Sequence, residues 1–249
     1  MDSSVLAVRA PSSLPRGLSS EGESVMAFPE YERIARSAER FSSRAPANIA
    51  AVDEITATGE VGALYAHFRL HFGRPNVPGI LKCFATHPPL LRHMMDLSED
   101  LIFSDGYLNR RHKEMIATLV SAENSCPYCM DSHSYFLRVH GGSPAVLDAI
   151  LSGDLGSCAF TAGERALLSF ACKVNANSHE INRKDVDWLI QCGWSEPQVA
   201  EAVHVAALFS TFNRVANAFG LASQGLLSLY DANAGDEHGG NSTLERTSE

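Results

Sequence analysis

The stretch that decides the fold and the chemistry of this chain is Glu114-Met-Ile-Ala-Thr-Leu-Val-Ser-Ala-Glu-Asn-Ser-Cys126-Pro-Tyr-Cys129-Met-Asp-Ser-His133. In its first half, apolar residues recur at helical spacing, namely Met115, Ile116, Leu119 and Val120. This pattern predicts a helix over about 109–123 and makes Glu114 a carboxylate at the border of a buried face.

The second half of the stretch predicts another helix, over about 126–140, that begins at the cysteines. Asn124 and Ser125 interrupt the first helix and can cap the second, which places Cys126 in its first turn. Pro127 is tolerated there because the first turn leaves its backbone nitrogen without a partner in any case. Cys126 and Cys129 then share one helix face, where a disulfide can form and break with little backbone movement.

This placement predicts reactive thiols with a proton acceptor beside them. The helix dipole and the unpaired N–H groups of a first turn stabilise a thiolate, and so lower its pKa from the free value of about 8.5. His133 lies one turn after Cys129 and can accept its proton, while Glu114 can orient the imidazole. The predicted catalytic set is therefore Glu114, Cys126, Cys129 and His133.

Two other interpretations of the C-x-x-C pair stay open. Cys126, Cys129 and His133 could supply three zinc ligands, although no second C-x-x-C or H-x-x-x-H pair lies nearby in the sequence. The cysteines could also be inert core residues, as free cysteines often are. The dithiol interpretation requires no metal and no bound cofactor.

Composition narrows the class of protein. The chain has 249 residues, 45% of them apolar, and a formal charge of −9, which argues against nucleic-acid binding. No run approaches the roughly 20 apolar residues of a membrane helix, and no export signal is recognisable, so we expect a cytoplasmic protein. We assign no chemistry to the other four cysteines, which are Cys83, Cys158, Cys172 and Cys192.

Helical periodicity dominates the chain, and the predicted fold class is all-α. Residues 1–28 and 231–249 are expected to be disordered tails around one helical domain over 29–230. A capping box at Thr161 and Glu164, a cap at Asn182, and stops at Gly193 and Gly220 mark helix ends. The predicted helices span about 28–42, 58–73, 79–87, 88–104, 109–123, 126–140, 143–153, 161–177, 182–193 and 195–221.

Four further polar residues could be mistaken for site residues. Glu123 follows the apolar stripe at the end of its helix, and we expect it to face solvent. His204, Asn213 and Arg214 lie on the long apolar C-terminal helix and could line the active-site pocket or an oligomer contact, although core packing is favoured over catalysis.

The pattern E-x(11)-C-x-x-C-x(3)-H resembles that of the alkyl hydroperoxidase D-like proteins within the carboxymuconolactone decarboxylase superfamily. The flanking sequence also resembles the peroxidase-related branch of that superfamily over about 50–225. The segments that carry this second resemblance are His87-Pro88-Pro89-Leu90-Leu91, Gly141-Gly142, Glu164-Arg165-Ala166-Leu167-Leu168-Ser169-Phe170-Ala171 and Phe212-Asn213-Arg214-Val215-Ala216-Asn217.

The resemblance implies a helical bundle that forms homo-oligomers, with the active site at the start of a central helix. It implies a dithiol that reduces hydroperoxides or passes electrons to a peroxiredoxin, with an unidentified thiol or protein as electron donor. Cys129, nearest His133, would attack the peroxide and Cys126 would resolve, whereas helix geometry alone favours Cys126 as the nucleophile. Tyr128 stands where some relatives have a histidine, which removes a second proton donor.

Two alternatives to a peroxidase follow from the same residues. The dithiol could serve a non-enzymatic redox sensor or assembly protein, in which disulfide formation alters an oligomer interface. Lactone decarboxylation, the other activity in the superfamily, is disfavoured because it has no need of a reactive dithiol.

Overall fold

The computed structural model describes residues 48–230. Within this range the chain forms helices and contains no strand, as predicted for an all-α fold. The predicted tails, the start of the predicted domain and the helix predicted at 28–42 lie outside the described residues. The α-helices are α1 Gly59–Phe72, α2 Gly79–Phe84, α3 Pro88–Ser98, α4 Arg110–Glu123, α5 Pro127–Val139, α6 Pro144–Ser152, α7 Ala162–Asn177, α8 Arg183–Gln191 and α9 Glu196–Phe219.

The predicted helix ends agree closely with the observed ones. Thr161 and Glu164 form the capping box that begins α7, and Asn182 and Asp185 form another at the start of α8. Gly220 ends α9 in the left-handed conformation, with φ of 76°. One difference is that the helix predicted over 88–104 is α-helical only to Ser98 and continues as a π-helical turn, Glu99–Phe103.

Helix α4 is the central element of the bundle, because α5, α6, α7 and α9 all pack against it. Every residue from 113 to 121 is buried, so this helix has no solvent-facing side over that length. The single apolar stripe expected from the sequence therefore underestimated its burial. Glu114 does not border the core but lies within it, fully buried.

The second buried charge of α4 has its own partner. The Nζ of Lys113 lies 2.8 Å from Glu201 of α9 and donates to the Ser104 carbonyl at 2.9 Å. Glu201 also accepts a hydrogen bond from the Leu108 backbone N–H at 2.6 Å. This pair fixes the loop before α4 against α9, and so positions the helix that carries Glu114.

The turn between α4 and α5 holds the cysteines in place. Ser125 adopts a left-handed conformation, with φ of 49°, and its N–H donates to Ala122 O at 3.0 Å. The N–H of Cys126 donates to Ser121 O at 2.9 Å. These two bonds form a Schellman motif, so Cys126 ends one helix and is the N-cap of the next. No helix in the described part of the chain is long and apolar enough to span a membrane.

Candidate active site

The two cysteines of the C-x-x-C pair lie together at the start of α5. Cys126 is the N-cap residue rather than a member of the first turn, because α5 begins only at Pro127. Cys129 follows within the first turn, and the two thiols are hydrogen-bonded to each other. Cys126 is fully buried and Cys129 is 3% exposed, so neither is an open surface thiol.

The hydrogen bond between the thiols separates their acidities. Because the Cys129 thiol donates to its sulfur, the pKa of Cys126 falls to about 7, despite the opposing effect of burial. The pKa of Cys129 is raised, first by that same hydrogen bond and then by burial. In the resting pair the negative charge is therefore carried by Cys126, with Cys129 protonated.

Glu114 and His133 are in direct contact across the α4–α5 junction. The Nδ1 of His133 lies 2.6 Å from Oε2 of Glu114, as the sequence predicted for an orienting carboxylate. When the imidazole is neutral, Nδ1–H donates to the carboxylate and Nε2 is left as a proton acceptor. The ring of Phe209 packs edge-on to the imidazole, with the centroids 4.4 Å apart.

A third residue, Arg110, completes this cluster and was not assigned from the sequence. Its Nε donates to Oε1 of Glu114 at 2.6 Å, from one turn earlier on the same helix. The guanidinium also lies over two rings, 4.8 Å from the centroid of Phe103 and 5.5 Å from that of Phe136. Glu114 thus receives one cationic partner and one imidazole on its two oxygens.

A cavity of about 110 Å³ opens onto this cluster. Cys129 and His133 both contribute to its wall, together with Tyr128. Most of the wall is aromatic or aliphatic, including Phe68, Phe72, Ile80, Leu81, Ile102, Phe103, Phe136, Phe209, Phe212 and Leu226. Such a site favours a ligand with an apolar body and one polar, reactive end.

The segment after α9 closes one side of the cavity. Gln224 and Leu226 line it, and Asp131 of α5 holds this segment by three backbone N–H groups. The Oδ2 of Asp131 accepts from Gln224 and Leu226 at 3.0 Å each, and its Oδ1 accepts from Leu227 at 3.1 Å. Asp131 is therefore a structural anchor for the cavity wall, and no sequence pattern pointed to it.

Asn213 of α9 also belongs to the site, although its sequence context favoured simple core packing. It is fully buried and hydrogen-bonds to the thiols, which lowers the pKa of both. Its Nδ2 donates to Ser121 Oγ at 3.0 Å, and its Oδ1 accepts from Asn124 Nδ2 at 3.0 Å. These bonds orient the amide so that its N–H side faces the thiols.

The remaining polar residues on these helices lie away from the cluster. His204 and Arg214 are exposed on α9, so the core packing expected for them was wrong. Glu123 is exposed, as predicted, and accepts from Asn175 Nδ2 at 2.9 Å. Tyr128 is buried, and its hydroxyl accepts from the Ile80 N–H at 3.3 Å. Burial raises the pKa of this phenol, so it does not act as a base near neutral pH.

The other cysteines show three levels of exposure. Cys83 is buried, Cys172 and Cys192 are half-buried, and Cys158 is exposed. Among residues 48–230 no three His, Cys, Asp or Glu side chains are grouped so as to hold a metal ion.

Comparison with known proteins agrees with this fold. The family model of the carboxymuconolactone decarboxylase family matches residues 88–172, a segment that contains Glu114, both cysteines and His133. No curated protein sequence matches the chain.

Solved structures extend the similarity to most of the chain. An uncharacterized peroxidase-related protein from Ralstonia eutropha JMP134, with an alkylhydroperoxidase AhpD core, is 25% identical, with a TM-score of 0.66, over 74% of this chain and 96% of its own. A second uncharacterized peroxidase-related protein, from Silicibacter sp. TM1040, is 26% identical, with a TM-score of 0.61, over 72% and 94%. The debrominase Bmp8 shares the fold at 16% identity, with a TM-score of 0.56, over 73% and 95%.

The fold and the dithiol site define a class of all-α protein built around a helix hairpin with a buried cysteine pair. The family match over residues 88–172 and the two peroxidase-related structures show what this class resembles: the chain is similar to the alkyl hydroperoxidase D-like proteins of the carboxymuconolactone decarboxylase superfamily.

Proposed function

We propose that this protein is a thiol-dependent peroxidase that reduces organic hydroperoxides through its Cys126–Cys129 pair. The observation that carries the proposal is an apolar cavity lined by both Cys129 and His133, with Cys126 hydrogen-bonded to Cys129 and the buried Glu114 in contact with His133. Such a cavity fits a hydroperoxide with an apolar body, whose O–O group would reach Cys129 and His133.

The proposed nucleophile is Cys129, because it lines the cavity whereas Cys126 is fully buried. His133 takes the thiol proton, and the Cys129 thiolate attacks the terminal oxygen of the hydroperoxide. An S–O bond forms and the O–O bond breaks. The departing alkoxide takes the proton from His133 and leaves as an alcohol, while Cys129 becomes a sulfenic acid.

Cys126 then closes the cycle. Its thiolate attacks the Cys129 sulfur, the S–S bond forms and the S–O bond breaks, and the departing hydroxide takes a proton from solvent and leaves as water. A dithiol reductant, free or on a donor protein, returns two electrons and two protons by thiol–disulfide exchange. The low pKa of Cys126 favours this step, because a thiolate is already present at neutral pH. We further propose that the protein works in the cytoplasm as a homo-oligomer.

Peroxide consumption with dithiothreitol as reductant tests the proposal, using cumene hydroperoxide and hydrogen peroxide as substrates. We expect sustained turnover that is lost in Cys129→Ser and in Cys126→Ser and retained in Cys158→Ser, which removes an exposed cysteine. A wild-type protein that forms one disulfide per chain and then stops with every reductant would point to a redox sensor instead. Stoichiometric zinc in the purified protein would overturn the redox account.

The order of attack needs a separate measurement. Dimedone labelling after one equivalent of hydroperoxide should trap a sulfenic acid on Cys129 in the Cys126→Ser variant. If instead Cys126 were labelled in the Cys129→Ser variant and Cys129 were not labelled in Cys126→Ser, Cys126 would be the attacking cysteine and Cys129 the resolving one.

A further inference from the structure

Arg110 is the one member of the buried charge cluster that the proposed cycle leaves without a role. Its side chain is 13% exposed and that of Glu114 is fully buried, so the pair is held largely out of water. The Nε hydrogen bond to Oε1 leaves Oε2 of the same carboxylate to His133, 2.6 Å away. The three side chains therefore form one line of contacts that ends at the cavity wall.

We propose that Arg110 is a positioning residue of the proton relay, which neutralises Glu114 and thereby keeps His133 uncharged and able to accept the thiol proton. The inference rests on the proposed function, since only a reaction that begins with proton removal needs a neutral imidazole.

The physical reason is the effect of a buried carboxylate on the protonation of a neighbouring imidazole. A lone buried anion beside an imidazole favours the imidazolium strongly, because no other charge compensates the carboxylate. His133 would then be protonated already and useless as a base. With Arg110 on the other oxygen, the carboxylate is compensated without a proton on His133, and it still orients the ring through Nδ1.

The surroundings of His133 make this compensation necessary. Helix α9 places the Phe209 ring against the imidazole, with the centroids 4.4 Å apart, and α5 places the Phe136 ring 5.8 Å away. The carboxylates among the cavity's charged groups outnumber the permanent cations, which favours imidazolium further. The titratable and charged side chains that line the cavity with His133 are His67, Arg74, Asp96, Glu99, Tyr128 and Cys129.

The rings around Arg110 explain why this position suits an arginine. Phe103 and Phe136 both line the cavity and both lie against the guanidinium, at 4.8 Å and 5.5 Å from its carbon. A delocalised guanidinium tolerates such aromatic cover while it donates to a carboxylate, whereas a compact ammonium is more strongly hydrated. The Nη2 atom lies 2.6 Å from Oε1 as well, at an angle that does not complete a second hydrogen bond.

The test is a pH titration of the His133 imidazole by NMR, with the His133→Gln spectrum used to assign its signal. We expect Arg110→Gln to raise the titration midpoint of His133 by about 1–2 pH units, and Arg110→Lys to restore most of the wild-type value. The acid limb of the peroxidase rate should move upward by a similar amount in Arg110→Gln. Arg183→Gln is the matched control, since Arg183 also pairs with an acid four residues later but is exposed.

The double variant Arg110→Gln/Glu114→Gln separates charge compensation from a loss of packing. Without the carboxylate, Arg110 acts on His133 only by direct charge repulsion, so Arg110→Gln should raise the midpoint of His133 less in the Glu114→Gln background than in the wild-type protein. An unchanged midpoint in Arg110→Gln, or an equal rise with and without Glu114, would overturn the proposal. Because the titration requires no turnover, it gives an answer even if the protein proves not to be a peroxidase.

Discussion

Two arginines in this protein each contact an acidic residue four positions later on the same helix, and each contact involves a third side chain. On α4, Arg110 and Glu114 are joined to His133 in the core, with side-chain exposures of 13% and 0% for the first two. On α8, Arg183 contacts Asp187 at 2.7 Å and also Glu196, with exposures of 64%, 48% and 56%. The spacing is the same, but the environment differs.

That difference decides what each cluster contributes. In water, the Arg183 pairs are screened and their side chains lose conformational entropy when they pair, so they add little. In the core, the same contacts act at low dielectric, and removing one partner leaves a charge without compensation. The sequence pattern of an arginine four residues before an acid therefore predicts a contact, whereas burial determines its energetic and chemical consequence.

The largest effect should come from breaking the buried cluster at its centre. Glu114→Gln keeps the volume but leaves the Arg110 charge uncompensated, so we expect the free energy of unfolding to fall by about 3 kcal/mol. We also expect the peroxidase rate to fall by roughly 10²–10³, because the imidazole loses its orienting carboxylate. Urea titration and steady-state kinetics measure the two changes. Wild-type turnover in a folded Glu114→Gln protein would show that the buried cluster is structural only.

The buried Cys126 thiol also differs from the exposed thiols in its pKa, and a pH titration tests this difference. With a pKa of about 7, Cys126 should lose its thiolate as the pH falls through 7, and its alkylation by iodoacetamide should slow about tenfold per unit below that. In Cys129→Ala the sulfur loses its thiol donor, and the inflection should move up toward the free value of about 8.5. Peptide mapping separates Cys126 from the exposed Cys158. An inflection unchanged in Cys129→Ala would mean that another group holds the thiolate.

A smaller effect is expected at Asp131, a half-buried charge whose partners are backbone N–H groups rather than an arginine. Asp131→Ala removes the acceptor of three N–H groups in the segment after α9. We therefore expect the free energy of unfolding to fall by about 2 kcal/mol. The wall formed by Gln224 and Leu226 should loosen, and bulky maleimides should reach Cys129 faster than in wild type. Asp148→Ala, at an exposed position on α6, is the control. If the two variants were equally stable, Asp131 would not be an anchor of the cavity wall.

The smallest effect should come from the exposed cluster itself. Arg183→Gln breaks both surface pairs, yet the urea midpoint and the kinetics should stay at wild-type values, because solvent screens each pair. A clear destabilisation by Arg183→Gln would contradict the distinction drawn between the two clusters.

Local signals in the sequence determined much of the fold. Helical periodicity located each of the helices α1 to α9, and the capping boxes at Thr161 and Asn182 formed as their spacing predicted. The C-x-x-C pair, His133 and Glu114 were found for the same reason, since each partner lies within one helix hairpin. The predicted helix ends and junctions were less accurate. Cys126 is an N-cap residue, and the helix that begins at Pro88 changes to a π-helical turn after Ser98.

Only the tertiary structure could supply the rest of the site, because its contacts join residues that are far apart in the chain. Asn213 reaches Ser121 across 92 positions, and Asp131 reaches Gln224 across 93. Such pairs leave no periodic signature, since each depends on which helix faces pack together. Burial has the same origin: the sequence of α4 shows one apolar stripe, and only its enclosure by four other helices turns Arg110 and Glu114 from a surface pair into a buried one. The sequence by itself predicted which groups would meet at the candidate site, and the packing determined their burial and their partners.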